Sequence, residues 1–252
     1  MRGEPRARIW IPLRLPIKAS PQSTPRVPPA ADFGRVARVY DLLAGLVFGS
    51  ALRRAQRAAL AAGLPLAPAP APRVLVLGGG TGWLLADLWR ARPTARVLYL
   101  EASAGMLART RAHLRRQPPP PTATLELRHG TEANLRPDER FDAIVTFFVL
   151  DCFSAADLPV ALARLDAARL PGAPWLVADF RPARRGWQRA LLAAMYGFFR
   201  LTSGLRVRQL PPWPTALAAR GLRPVWQKLY YGGAIAALVL TDAPPAAAPD
   251  CG

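Results

Sequence analysis

The sequence predicts an α/β domain on a mostly parallel sheet that closes with an antiparallel hairpin. Three observations predict it. A short continuous apolar run at residues 74–77 reads as a strand buried on both faces, and residues 143–150, rich in Val and Phe, as another strand. Segments of helical length separate successive strands, so the chain alternates β and α. Near the end, two strand-like runs flank Gly232-Gly233, a hairpin signal.

Taken in order, residues 1–31 hold Arg2, Arg6, Arg8, Arg14, Lys18 and Arg26 against one acid, Glu4. Their seven prolines deny the segment a helix or an inner strand, so a disordered basic arm is expected. A folded domain follows over residues 32–242. Residues 36–43 carry apolar side chains at helical spacing, and residues 53–62 read as a second helix stopped at Gly63. A Pro/Ala linker at 64–72 leads into the first strand, 74–77. Then come helix 83–91, strand 96–100, helix 104–116, an edge-like strand 124–129, strand 143–150, helix 155–169, strand 175–180 and helix 186–201. A short helix ends at Gly221, and the hairpin runs are 224–231 and 234–241. The tail, 243–252, reads as unstructured.

The 252 residues carry a net charge of +18, which in many proteins marks a polyanionic partner. Only Lys18 and Lys228 are lysines, however. The excess is arginine, together with abundant alanine and proline, the composition a GC-rich coding sequence produces. The arginines are spread along the chain and do not alternate with aromatics as on a single-strand-binding surface. Nucleic acid is therefore not the expected partner, although the basic arm suits transient contact with an anionic membrane. Residues 9–17 are interrupted by Pro12, Arg14 and Pro16, a poor signal-peptide core, and no apolar run reaches the ~20 residues a bilayer needs. Two cysteines, Cys152 and Cys251, exclude a disulfide scaffold, and with two histidines they make a metal centre unexpected. A cytoplasmic protein with reduced thiols is expected.

The most informative stretch is residues 74–83, where a buried strand ends in Gly78-Gly79-Gly80-Thr81-Gly82 and a helix begins at Trp83. Backbone without Cβ lets a ligand approach closely there. In an open α/β sheet this is the crevice that binds ligands. The dinucleotide fingerprint needs a third glycine or alanine where Trp83 stands, and no Gly-Lys-Ser/Thr follows, so dinucleotides and nucleoside triphosphates are disfavoured. Glu101 follows the second strand, where a carboxylate accepts hydrogen bonds from vicinal ribose hydroxyls. That says nucleoside without saying which.

With Gly105-Met106-Leu107 in the next helix, these features resemble the class I S-adenosylmethionine-dependent methyltransferases, over about residues 33–241. Tyr40-Asp41 upstream of the glycines is similar to the ubiquinone/menaquinone-biosynthesis type. The loop 130–135, Phe141-Asp142 opening the fourth strand, and the closing hairpin fit the same family. The resemblance implies a Rossmann-like three-layer sandwich with a seven-stranded sheet. It implies S-adenosyl-L-methionine as cofactor, with Gly78, Gly79, Gly80 and Gly82 along its methionine part, Glu101 on the ribose, and Ala102 and Met106 flanking the adenine. The acid that usually faces the adenine edge reads Thr131 here, with Glu132 beside it, and both are candidates.

The implied reaction is methyl transfer to a small-molecule acceptor. Because the donor is already activated, alignment and a dry site do most of the work. A base is needed only if the acceptor must lose a proton early. After the fourth strand, Phe147 and Phe148 point to opposite faces if the strand persists, so that Phe147 is a candidate against the cofactor. Asp151 is a candidate base or, equally, a helix cap. Asp179 after the fifth strand is a further site candidate, and Tyr40 is a candidate over the sulfonium. Aromatic residues in the second half suit a flat apolar acceptor. Two other functions stay open. One is a non-catalytic protein of the same fold. The other is an RNA methyltransferase, against which stand the lack of an appended RNA-binding module and of an Asn/Asp-Pro-Pro-Tyr motif.

Overall fold

The computed structural model describes residues 50–181, 186 and 210–242. The expected arm and tail, the helix at 36–43, the helix at 186–201 beyond its first residue, and Tyr40 lie outside them. The elements are α1 (Ala51–Gly63), β1 (Arg73–Leu77), α2 (Leu84–Ala91), β2 (Arg96–Glu101), α3 (Ala104–Arg116), β3 (Thr124–His129), β4 (Ala143–Phe147), α4 (Asp157–Ala168), β5 (Trp175–Phe180), α5 (Trp213–Ala218), β6 (Leu222–Tyr230) and β7 (Ile235–Asp242). The strands form one seven-stranded sheet in the order β3-β2-β1-β4-β5-β7-β6. All neighbours are parallel except β7, which runs antiparallel to both β5 and β6. The expected parallel sheet with an antiparallel end is therefore observed.

Each central strand is buried on both faces, which is why its sequence is mostly apolar rather than alternating, with Thr146 and Asp179 as buried polar exceptions. On one face Val74, Val76, Val97, Tyr99 and Val145 pack with Ala55, Ala59 and Leu60 of α1 and Leu84, Leu85 and Leu88 of α2. On the other, Leu75, Leu77, Leu98 and Ile144 pack with Leu158, Leu162 and Leu165 of α4 and Trp213 of α5. The result is the expected three-layer sandwich. Gly63 ends α1 where its backbone lies close against the sheet. A Cβ there would sit 2.5 Å from Leu176 Cγ. Pro224 is accommodated because β6 is an edge strand, and the ladder shifts register beside it, between Pro224 and Trp226.

Two boundaries differ from the sequence reading. The segment 64–72 opens with a 3₁₀ turn, Leu64–Leu66. The fourth strand stops at Phe147 instead of running to Leu150, because Phe148 turns left-handed (φ 52°) and a 3₁₀ turn, Leu150–Cys152, follows. Pattern alone missed the break because every residue across it is apolar.

Candidate functional site

The sheet order reverses between β1 and β4, so the loops leaving their carboxyl ends part and open a crevice. The glycine turn leaves β1 there. Gly78, Gly80 and Gly82 all have positive φ (66°, 65° and 78°), which explains the residue type. Their surroundings separate them. A Cβ on Gly78 would meet Val149 at 2.7 Å, one on Gly79 would meet the Tyr99 ring at 2.3 Å, and one on Gly82 would meet Thr110 Cγ2 at 2.6 Å. On Gly80 it would meet nothing within 4 Å. The protein itself fills the space beside three of these glycines, and the fourth faces an opening.

Glu101, at the end of β2, is buried. Its Oε2 accepts from the Gly80 N–H at 3.0 Å and its Oε1 from the Ser103 N–H at 2.8 Å. Burial pushes its carboxyl above the usual range, while those two N–H groups and nearby His129 pull the other way. The Ala102 N–H also bears on this carboxylate, and of its roughly four acceptor sites those not taken by the three N–H groups can accept from a ligand hydroxyl. The Gly80 carbonyl is held from behind by the Tyr99 hydroxyl and by Thr110 Oγ1, both at 2.9 Å. Sequence reasoning missed this support. The signal for it was a tyrosine inside the apolar run of β2 and a threonine in α3.

Ser103 caps α3, its Oγ accepting from Met106 N–H at 3.3 Å, and so places Ala102 and Met106 beside Glu101. Ala102 is exposed and Met106 half-buried. Thr131 and Glu132 lie on the next loop. The Thr131 hydroxyl accepts from Ala133 N–H at 3.3 Å and caps a 3₁₀ turn, while the Glu132 carboxylate pairs with Arg164 at 3.2 Å. Both side chains thus have structural duties within the chain.

Beyond β4, the broken strand brings Phe148 to the same side as buried Phe147, because both pack against the core under α1. The Phe148 ring lies 5.3 Å from that of Phe180. Asp179, fully buried at the end of β5, accepts from Leu150 N–H at 3.0 Å and from Phe180 N–H at 2.7 Å, and so pins the loop that carries Asp151. Asp151 is buried, and desolvation pushes its carboxyl up to about 6. Asp179 is raised further, by burial first and then by the charge of Asp151. Asp151 is not the helix cap, since Ser154 Oγ accepts from the Asp157 N–H at 3.1 Å at the start of α4. Among the described residues no His/Cys/Asp/Glu group could hold a metal ion.

The model of a methyltransferase domain family matches residues 75–174, from β1 to the start of β5. The matched stretch contains the glycine turn, Glu101 and Asp151, and stops just short of Asp179. Among solved structures, the mitomycin 7-O-methyltransferase is similar to 82% of this chain, with 21% identity and a TM-score of 0.59. An O-methyltransferase family 2 protein from Planctomyces limnophilus, in complex with apigenin, is similar over 85% (19% identity, TM-score 0.60). An O-methyltransferase from neocarzinostatin biosynthesis, in complex with S-adenosylmethionine and 2-hydroxy-5-methyl naphthoic acid, is similar over 68% (19% identity, TM-score 0.50). The chain spans 58%, 63% and 49% of their lengths respectively. At these identities they show a shared fold, the Rossmann-like sheet of methyltransferases. No curated protein sequence matches the chain.

Proposed function

We propose that the chain is an S-adenosyl-L-methionine-dependent methyltransferase acting on a hydroxyl of a small aromatic acceptor. The observation that carries this reading is the pairing of Glu101 with the one glycine that faces open space. A buried carboxylate with acceptor capacity left beside an uncrowded turn suits a ribose, with the rest of the nucleoside running toward Ala102 and Met106. The cofactor, when bound, supplies a methyl group already activated on sulfur. Gly78, Gly79 and Gly82 line the same turn through their backbone, and Thr131 or Glu132 would border the adenine edge only by sharing a present partner. Phe147 supports the floor from the core, and Tyr40 over the sulfonium belongs to the same proposal.

Asp151 supplies the proton acceptor. Burial raises its carboxyl to about 6, which suits a general base that is to be ionised and still take a proton. Asp179 holds its loop. The methyltransferases similar in fold include one acting in mitomycin chemistry and two holding flat aromatic ligands, which favours a phenolic or quinol-like acceptor. No helix among the described residues is long and apolar enough to cross a membrane, and with only two cysteines in the chain, a cytoplasmic enzyme is the setting we infer. Incubation with S-adenosylmethionine and a panel of phenols and quinols tests the reading. S-adenosylhomocysteine formed with at least one acceptor is expected. Turnover only with RNA or with amines would overturn it.

A further inference from the structure

A second concave feature lies far from the glycine turn. A groove of about 620 Å³ runs between α1 and the outer strand β6, lined by Arg54, Arg57, Lys228, Leu229, Tyr230 and Tyr231. That volume is of the size that holds a drug-sized molecule. In the sheet order β6 stands five strand spacings from β2, roughly 24 Å from Glu101.

The chemistry of the lining is specific. Arg57 is paired with Asp87 at 3.0 Å, but among the described residues neither Arg54 nor Lys228 has a carboxylate partner. Lys228 is one of two lysines in an arginine-biased chain, so composition does not account for it. Its Nζ stands 5.8 Å from the Tyr230 ring centroid, and the Arg54 charge acts on the Tyr230 hydroxyl. Leu229 is 45% exposed and adds an apolar wall. Tyr231 is held left-handed (φ 52°), a conformation costly for an aromatic residue and frequent at binding sites. Two unpaired cations are too few to track a nucleic-acid backbone, whose binding grows from many phosphate contacts. They match a single anionic group, while two tyrosines and a leucine match a ring.

We propose that the α1–β6 groove is a second ligand site, taking a small planar aromatic carboxylate: Arg54 and Lys228 grip the anion, and Tyr230, Tyr231 and Leu229 cover the ring. The site is independent of the cofactor crevice. The probe is 1-naphthoate, with neutral 1-naphthamide as control, titrated calorimetrically into the full chain. Saturable 1:1 binding of naphthoate is expected, weakened by added salt, with naphthamide at least tenfold weaker. The double variant Arg54→Ala/Lys228→Ala should lose at least tenfold in affinity while keeping its circular dichroism spectrum. Glu101→Ala should leave naphthoate binding unchanged, which separates this site from the crevice. Equal affinity for naphthoate and naphthamide, no effect of the double variant, or loss of binding in Glu101→Ala would overturn the proposal.

Discussion

Two glycines of the turn offer a paired test of why each is glycine. Gly80 and Gly82 share a left-handed backbone, at φ 65° and 78°. Alanine at either position incurs about 1–2 kcal/mol for that conformation. At Gly80 nothing else is touched. At Gly82 the new methyl would sit 2.6 Å from Thr110 Cγ2 and 3.1 Å from its Oγ1, displacing the side chain that holds the Gly80 carbonyl. Overpacking adds about 1–3 kcal/mol and the lost hydrogen bond about 1 kcal/mol. Urea unfolding should therefore show Gly80→Ala destabilised by about 1–2 kcal/mol and Gly82→Ala by about 3–6 kcal/mol. Ligand binding should rank the other way per unit of stability lost. Gly80→Ala, nearly as stable as the parent, should bind S-adenosylhomocysteine at least tenfold more weakly, because its methyl occupies the opening. Wild-type affinity in Gly80→Ala, or equal stability losses in the two variants, would refute the assignment of Gly80 to a ligand and Gly82 to packing.

Other expectations follow from the same geometry. The carboxyl of Asp151 is raised to about 6, so the folded chain holds that proton over a range where the unfolded chain has lost it. Stability from this group is complete below about pH 4 and is lost as pH rises to about 6, a fall of order 3 kcal/mol, and Asp151→Asn should flatten that slope in thermal melts. In turnover assays Asp151→Asn should cost about 100-fold or more and abolish the rise of rate through pH 6. Glu139 shows the opposite sign. Arg128 holds its carboxyl down to about 2, through bonds at 2.7 and 2.9 Å, so its contribution is present above about pH 4.5 and disappears as pH falls toward 2. Acid melts of Glu139→Gln should show a shallower decline than the parent across that window. Tyr99→Phe removes one of the two donors to the Gly80 carbonyl and should cost about 1 kcal/mol in urea, with a severalfold loss in ligand affinity.

The centre of the sheet was legible because its strands are buried on both faces. Their mostly apolar runs leave little choice, and βα alternation implies parallel neighbours. Gly232 and Gly233, both at positive φ, likewise announced the hairpin. The break after Phe147 was not legible, because the residues across it are all apolar and the Asp179 carboxylate that holds the Leu150 N–H beyond the left-handed Phe148 comes from 29 positions away. Local pattern carries no trace of a partner on another strand. In the site, Glu101 was readable from its place after β2, whereas the different duties of four neighbouring glycines were not. Val149, Tyr99 and Thr110 crowd three of them, and those contacts exist only once β2, α3 and the β4 loop have converged. Asp151 was readable as a candidate base, but its competing reading as a helix cap could be set aside only when Ser154 was seen in that place.

The central claim is that the crevice between β1 and β4 holds an adenosyl group by its sugar, with Glu101 as the grip. Isothermal titration of S-adenosylmethionine into the parent and Glu101→Ala tests it most directly. Saturable 1:1 binding to the parent and a loss of about 100-fold in a still-folded Glu101→Ala is the predicted result, since two hydrogen bonds to a charged group are worth about 3 kcal/mol. No heat of binding in the parent, or equal affinity in the two proteins, would contradict it.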